Sequence, residues 1–283
     1  MQTSNRLPTT HNLRLAYAIS LAIAAIMTAA SIVGLLYPAS LYPLGEAGRW
    51  LVANDVLNLI AGLPLLLGSM WLARRGKLMG LICWPGALFY ALYVYVAYLI
   101  GAPFGPLFLA YLLLVTLSAY TLIGLMISFD GEAIRQRLTG RIPARTSGGI
   151  LLALAILIIL RQIGLIVTVL TSQATVAPLE LAQWIDDLVI ACPALLLVGI
   201  QLWRRRALGY MGGAGLLLQY GVLALGLIPG LLSATPLDVS SVVVILLMAA
   251  LCFIPFAFFV RGAAAARSSS SASLAGLSRQ SSR

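Results

Sequence analysis

Eight runs of roughly 20 apolar residues dominate this chain, each long enough as a helix to cross a hydrocarbon layer about 30 Å thick. They lie near 15–37, 51–73, 78–100, 106–127, 149–171, 184–203, 207–232 and 239–260. A spanning barrel would show alternating segments of about ten residues instead. Of the 283 residues, 61% are hydrophobic and 9% charged, which leaves too little polar surface for a soluble domain. The expected fold is all-α: a polytopic integral membrane protein with eight transmembrane helices. The first run exceeds the 7 to 15 residues of a secretory signal, so it is read as a span.

The net charge of +10 does not point to nucleic acid, because the basic residues fall in alternate loops. Arg6 and Arg14 precede the first run, and Arg74, Arg75 and Lys77 follow the second. Arg135, Arg137, Arg141 and Arg145 follow the fourth, Arg204 to Arg206 the sixth, and Arg261 and Arg267 the eighth. The loops between carry Arg49 as their one basic residue. The positive-inside bias then predicts a protein of the plasma (cell) membrane with both termini cytoplasmic.

The longest internal connection divides the chain into a cytoplasmic segment (1–14), a first four-helix unit (15–127), a cytoplasmic loop (128–148) and a second four-helix unit (149–260). Residues 261–283 form a Ser-rich tail that offers no packed core and is expected to be disordered. The halves resemble each other. Asp55, Trp71, Arg74 and Met79-Gly80 recur at the same spacing as Asp187, Trp203, Arg206 and Met211-Gly212. Interfacial Trp and Arg end most spans, so the acids and the Met-Gly pair carry the comparison. Two tandem units of four spans would insert in parallel orientation, related by an axis along the membrane normal.

Few residues could carry chemistry. Asp55 and Asn58 sit in VANDVLNLI, and Asp186 and Asp187 in WIDDLVIACP, both placed by the apolar runs near a helix start. Capping of that start is the plain reading, and a polar vestibule the functional one. Arg161, with Gln162 beside it, falls near the middle of the fifth run, where an Arg costs about 2.5 to 3.5 kcal/mol. It is expected to face the interior and pair with Asp55, Asp186 or Asp187, through an extended side chain or a bridging water. Tyr90 and Tyr93 are placed to line the same cavity, while Tyr98 reads as an interfacial belt residue. The candidate substrate-binding set is therefore Asp55, Asn58, Tyr90, Tyr93, Arg161, Asp186 and Asp187. The glycines of the seventh run are a packing signal, and Pro64, Pro193 and Pro229 interrupt their helices.

Several chemistries drop out. His11 is the one histidine, which excludes His-ligated haem, His-metal sites and His-based hydrolases. Cys83, Cys192 and Cys252 have no metal-type spacing and read as packing residues. The loop FDGEAIRQR resembles a fragment of the acidic motif of lipid phosphotransferases, whose other metal-binding acids are missing here. No cofactor, metal or catalytic residue is assigned. The leading expectation is a transporter or channel-like protein in the lipid bilayer, with an outward-facing polar pocket for a small polar or ionic solute. The alternatives are a membrane-embedded enzyme using Asp55 or Asp187 on a lipid-linked substrate, and a non-catalytic scaffold or assembly factor. The oligomeric state is left open.

Overall fold

A computed structural model describes residue 9, residues 13–232 and residues 239–280, with side chains for 9, 13–228 and 242–266. Arg6 and His11 fall outside that description, as do the side chains of Pro229, Arg267 and the Ser-rich segment. The helices are α1 (Arg14–Leu36), α2 (Pro38–Leu41), α3 (Glu46–Leu57), α4 (Leu63–Arg74), α5 (Leu78–Gly101), α6 (Phe108–Ile127) and α7 (Gly131–Leu138). They continue with α8 (Ala144–Ser172), α9 (Pro178–Ile185), α10 (Cys192–Trp203), α11 (Ala207–Leu232) and α12 (Val239–Gln280). Among the described residues there is no strand, and one isolated bridge joins Thr9 to Phe129. Eight helical stretches of 20 to 29 residues are apolar enough to cross a membrane, which is compatible with a multi-pass membrane protein.

The second, fifth and sixth spans begin earlier than their apolar runs, the fifth at Ala144. The second starts at Glu46, after Gly45 in a left-handed conformation, and the sixth at Pro178. Both first turns are built from residues that suit a helix N-terminus: Glu46 in one, Pro178 and Glu180 in the other. Polar first turns do not register as apolar sequence, so hydropathy alone starts these helices too late. Asp55 and Asp187 each lie nine residues beyond their helix start, about 13 Å along the axis. The capping reading is thereby overturned, since Gly45 and Ala177 occupy the N-cap positions.

Both of these spans are interrupted by a π turn, at Asn58–Gly62 between α3 and α4 and at Asp186–Ala191 between α9 and α10. A proline follows each turn by two residues, Pro64 and Pro193. Proline has no N–H to give the carbonyl four residues back, and its ring presses on that carbonyl. Widening the helix by one residue relieves the clash and moves the hydrogen bonds to i+5 spacing. The Leu63 N–H accordingly donates to the Asn58 carbonyl, and the Cys192 N–H to the Asp187 carbonyl.

The same register recurs further along. The Arg75, Gly76 and Lys77 amides donate to the carbonyls of Trp71, Ala73 and Leu72. Those of Arg204, Arg205 and Arg206 donate to Ile200, Leu202 and Gln201. Gly76 and Arg205 both take positive φ in these turns, at 72° and 55°. Gly80 abuts the Leu72–Ala73 backbone, and Gly209 abuts that of Gln201–Leu202. Each feature lies 129 positions after its counterpart, which pairs Asn58 with Asp187 and Pro64 with Pro193. Aligning Asp55 with Asp187 instead puts the prolines and turns three residues out of step.

α5 is the axis of the bundle. It packs against α4, α6, α9 and α11, and 83% of its spanning window is buried, the highest share of any span. At its crossing with α11, Gly86 meets Gly215 backbone to backbone: a Cβ on Gly215 would lie 2.8 Å from the Gly86 nitrogen. Trp84, Tyr90, Tyr95 and Tyr98 on α5 are fully buried, and the Trp84 Nε1–H donates to Ser20 Oγ at 3.1 Å. α8 and α12 lie at the periphery, each with 22% of its window buried. Asp130 caps α7 by accepting from the Ala133 amide at 3.0 Å, and Glu132 pairs with Arg135, so FDGEAIRQR forms a surface helix packed on α11 and α12.

Candidate functional site

The polar residues of the second and sixth spans form two clusters on either side of α5. In the first, Asp55 is 1% exposed and accepts from Tyr42 Oη at 2.6 Å and Tyr98 Oη at 3.1 Å. Tyr98 also reaches the Leu51 carbonyl at 2.7 Å. The carboxylate can sit there because Gly34 of α1 leaves the space: a Cβ would collide with Asp55 Oδ2 and the Tyr42 hydroxyl. Burial first, then the Asp55 charge, raises the Tyr42 phenol well above its ordinary range, so it remains a proton donor.

One turn deeper, Asn58 is completely buried at the opening of its π turn. Its Nδ2 donates to Ser31 Oγ and Tyr95 Oη, each at 3.3 Å, and its Oδ1 accepts from Tyr90 Oη at 3.0 Å. Gly62 is required here, since a side chain at that point would enter the Tyr90 ring. Tyr111 of α6 completes the aromatic wall, 5.1 Å from the Tyr98 ring and 5.9 Å from that of Tyr95. Every side-chain polar atom of Asp55 and Asn58 has a partner, which is what low-dielectric surroundings demand.

The second cluster is not satisfied in this way. Asp187 accepts from Tyr93 Oη at 2.8 Å and from Gln162 Nε2. Its neighbour Asp186 is 1% exposed, and neither of its carboxylate oxygens has a hydrogen-bond partner. Gln162 Oε1 and Tyr220 Oη are likewise buried and unpartnered. An ionised, unpartnered carboxylate in such surroundings costs on the order of several kcal/mol.

Arg161 does not join either cluster. It is exposed on the outer side of α8, alongside Leu157, Leu160 and Ile163, and among the described residues forms no ion pair. Its neighbour Gln162, about 100° around the helix, points inward and takes the place expected of the arginine. The expected pairing of Arg161 with Asp55, Asp186 or Asp187 is therefore corrected. The belt assignment of Tyr98 is corrected too, since it is 1% exposed and hydrogen-bonded to Asp55.

The bundle thus brings Tyr90 to Asn58 and Tyr93 to Asp187, and keeps the two acid-bearing regions apart. Ser31, Tyr42, Tyr95, Tyr98 and Gln162 are the partners that sequence reasoning missed. Small polar and aromatic residues are common in spans, so only the recurrence of an N or D six residues before a mid-span proline pointed towards them. Two hollows lie at the end of the bundle away from Arg74 and Arg204. One of about 40 Å³ has Tyr111 on its wall, and the other opens between α2 and α3 beside Tyr42. The three cysteines are buried and free, and no group of three or more His, Cys, Asp or Glu gathers among the described residues. No family model, curated protein or solved structure matches the chain.

Proposed function

We propose that this is a membrane transport protein, or a channel-like one, for a small polar or ionic solute, assembled from two tandem four-helix units in parallel orientation. One observation carries the reading. At corresponding places in two spans the helix is widened by a π turn, and the side chain at the widening, Asn58 or Asp187, is directed to the central helix α5. Such irregular backbone at membrane depth belongs where it is shielded by protein or lines a solute path, and π turns gather at functional sites. Asp55, Asn58 and Tyr90 supply one half of the proposed binding region, and Asp186, Asp187 and Tyr93 the other. In this reading both termini are cytoplasmic, and the hollows near Tyr111 and Tyr42 lie on the route from the opposite side.

The test is uptake into vesicles carrying the purified chain, using radiolabelled inorganic cations, inorganic anions and amino acids as probes. Saturable uptake of at least one probe is expected, falling tenfold or more in Asp187→Asn and Asn58→Leu. Intact protein that moves none of them removes the reading. A scaffold role is favoured by one specific feature, the complete satisfaction of Asp55 by Tyr42 and Tyr98. Under that role the same variants would change stability and nothing else.

A further inference from the structure

We propose that Asp186 and Asp187 form a proton-binding pair in which the proton resides on Asp186. As the coupling ion of transport, this proton rests on the reading above; as a bound proton, it rests on geometry alone.

The two carboxyl groups are treated differently by their surroundings. Both oxygens of Asp187 accept hydrogen bonds, one from Tyr93 Oη at 2.8 Å and one from Gln162 Nε2, which is the arrangement of an anion. Both oxygens of Asp186 are buried without a donor. Adjacent carboxyl groups in low dielectric do not both ionise, and the one lacking donors is the one that keeps the proton. A carboxylic acid at Asp186 carries no charge for its donor-free surroundings to compensate. Gln162, 1% exposed, is fixed through its amide nitrogen to Asp187. Tyr220, 8% exposed, lies within electrostatic reach of both carboxyls.

Among the described residues, no cation faces the pair from inside the bundle. Its π turn contributes Asp187, and α9 carries Glu180 in its first turn, away from the pair. α5 contributes Tyr93, α8 Gln162, α10 Cys192 and α11 Tyr220, with Cys252 of α12 behind it. Arg161 reaches Asp187 electrostatically from the exposed side of α8, without an ion pair to it among the described residues. Deprotonation is the simple step Asp186 COOH to COO⁻ and H⁺, and it requires water to reach the group. The π turn supplies a place where the helix can open to admit it.

Infrared spectra of the purified chain in lipid nanodiscs, recorded in H2O and in D2O, test this directly. A protonated-carboxyl stretch that shifts in D2O is expected at pH 7 in the wild type and in Asp55→Asn. It is expected to be lost in Asp186→Asn and moved in frequency in Asp186→Glu. Absence of the band in wild type, or its persistence in Asp186→Asn, overturns the proposal. Asn is an isostere of the neutral acid, so Asp186→Asn should fold; if it does not, Asp186→Glu decides, and a band that stays unmoved in that variant overturns the proposal. The readout needs no solute, so a chain that transports nothing yet shows the band fails only the transport reading.

Discussion

Gly86 and Gly215 pack backbone against backbone where α5 crosses α11, each occupying the space a Cβ of the other would need. The contact is reciprocal, so neither glycine can gain a side chain without moving the other helix. Gly86→Ala and Gly215→Ala are therefore expected to cost about 1 to 3 kcal/mol each by overpacking, with the double variant less than additive because one shift of the helices relieves both. Gly68 and Gly124, whose added Cβ atoms meet nothing, are the controls and should be close to neutral. Denaturant unfolding in mixed micelles measures all five proteins.

The Asp55 shell makes a separate prediction. Tyr42 gives this carboxylate an O–H bond, Tyr98 shares its one O–H between the carboxylate and the Leu51 carbonyl, and Gly34 leaves it room. A hydrogen bond to a charged group contributes about 1.5 to 3 kcal/mol, so Tyr98→Phe and Tyr42→Phe should each destabilise by that amount. Asp55→Asn should reduce the cost of either change, and a double-mutant cycle should give a coupling of about 1 kcal/mol or more. A coupling near zero would mean that the phenols act through packing alone.

What could be read from the sequence follows the physics of the bilayer. Apolar length is set by membrane thickness, and all eight runs appear as helices. Helix starts such as Glu46 and Pro178 were hidden because their first turns are polar. Facing direction was hidden for a different reason: lipid and protein core are both apolar, so the pattern around Arg161 and Gln162 carries no signal for which one points inward. The backbone features that recur 129 positions apart were legible at Pro64 and Pro193, whereas the repeated acid, Trp and Arg have a spacing three residues longer. The hydrogen-bond partners Ser31, Tyr42 and Gln162 come from helices distant in the chain, and nothing local announces them.

Arg161 and Gln162 are expected to respond in opposite ways. Arg161 is exposed and, among the described residues, forms no ion pair, so Arg161→Ala should leave stability unchanged or raise it, by removing a charge from membrane depth. Gln162→Leu takes a donor from Asp187 and should cost about 1 to 3 kcal/mol. Unfolding of Arg161→Ala at lower denaturant than Gln162→Leu would show that the arginine, and not the amide, holds Asp187.

The π turn at Asp186–Ala191 can be tested through the proline that follows it. Pro193 offers no N–H to Val189, and an interior proline costs a helix about 3 kcal/mol, which the wide turn relieves only in part. Pro193→Ala restores the donor and lets the span close into a continuous α-helix. Closing it removes one inserted residue and rotates everything before it by about 100°, which swings Asp187 away from Tyr93 on α5. The variant should therefore be as stable as the wild type or more so, while the coupling between Tyr93→Phe and Asp187→Asn, about 1 kcal/mol or more in the wild-type background, disappears. Retention of that coupling in Pro193→Ala would show that Asp187, rather than the proline, holds the turn open.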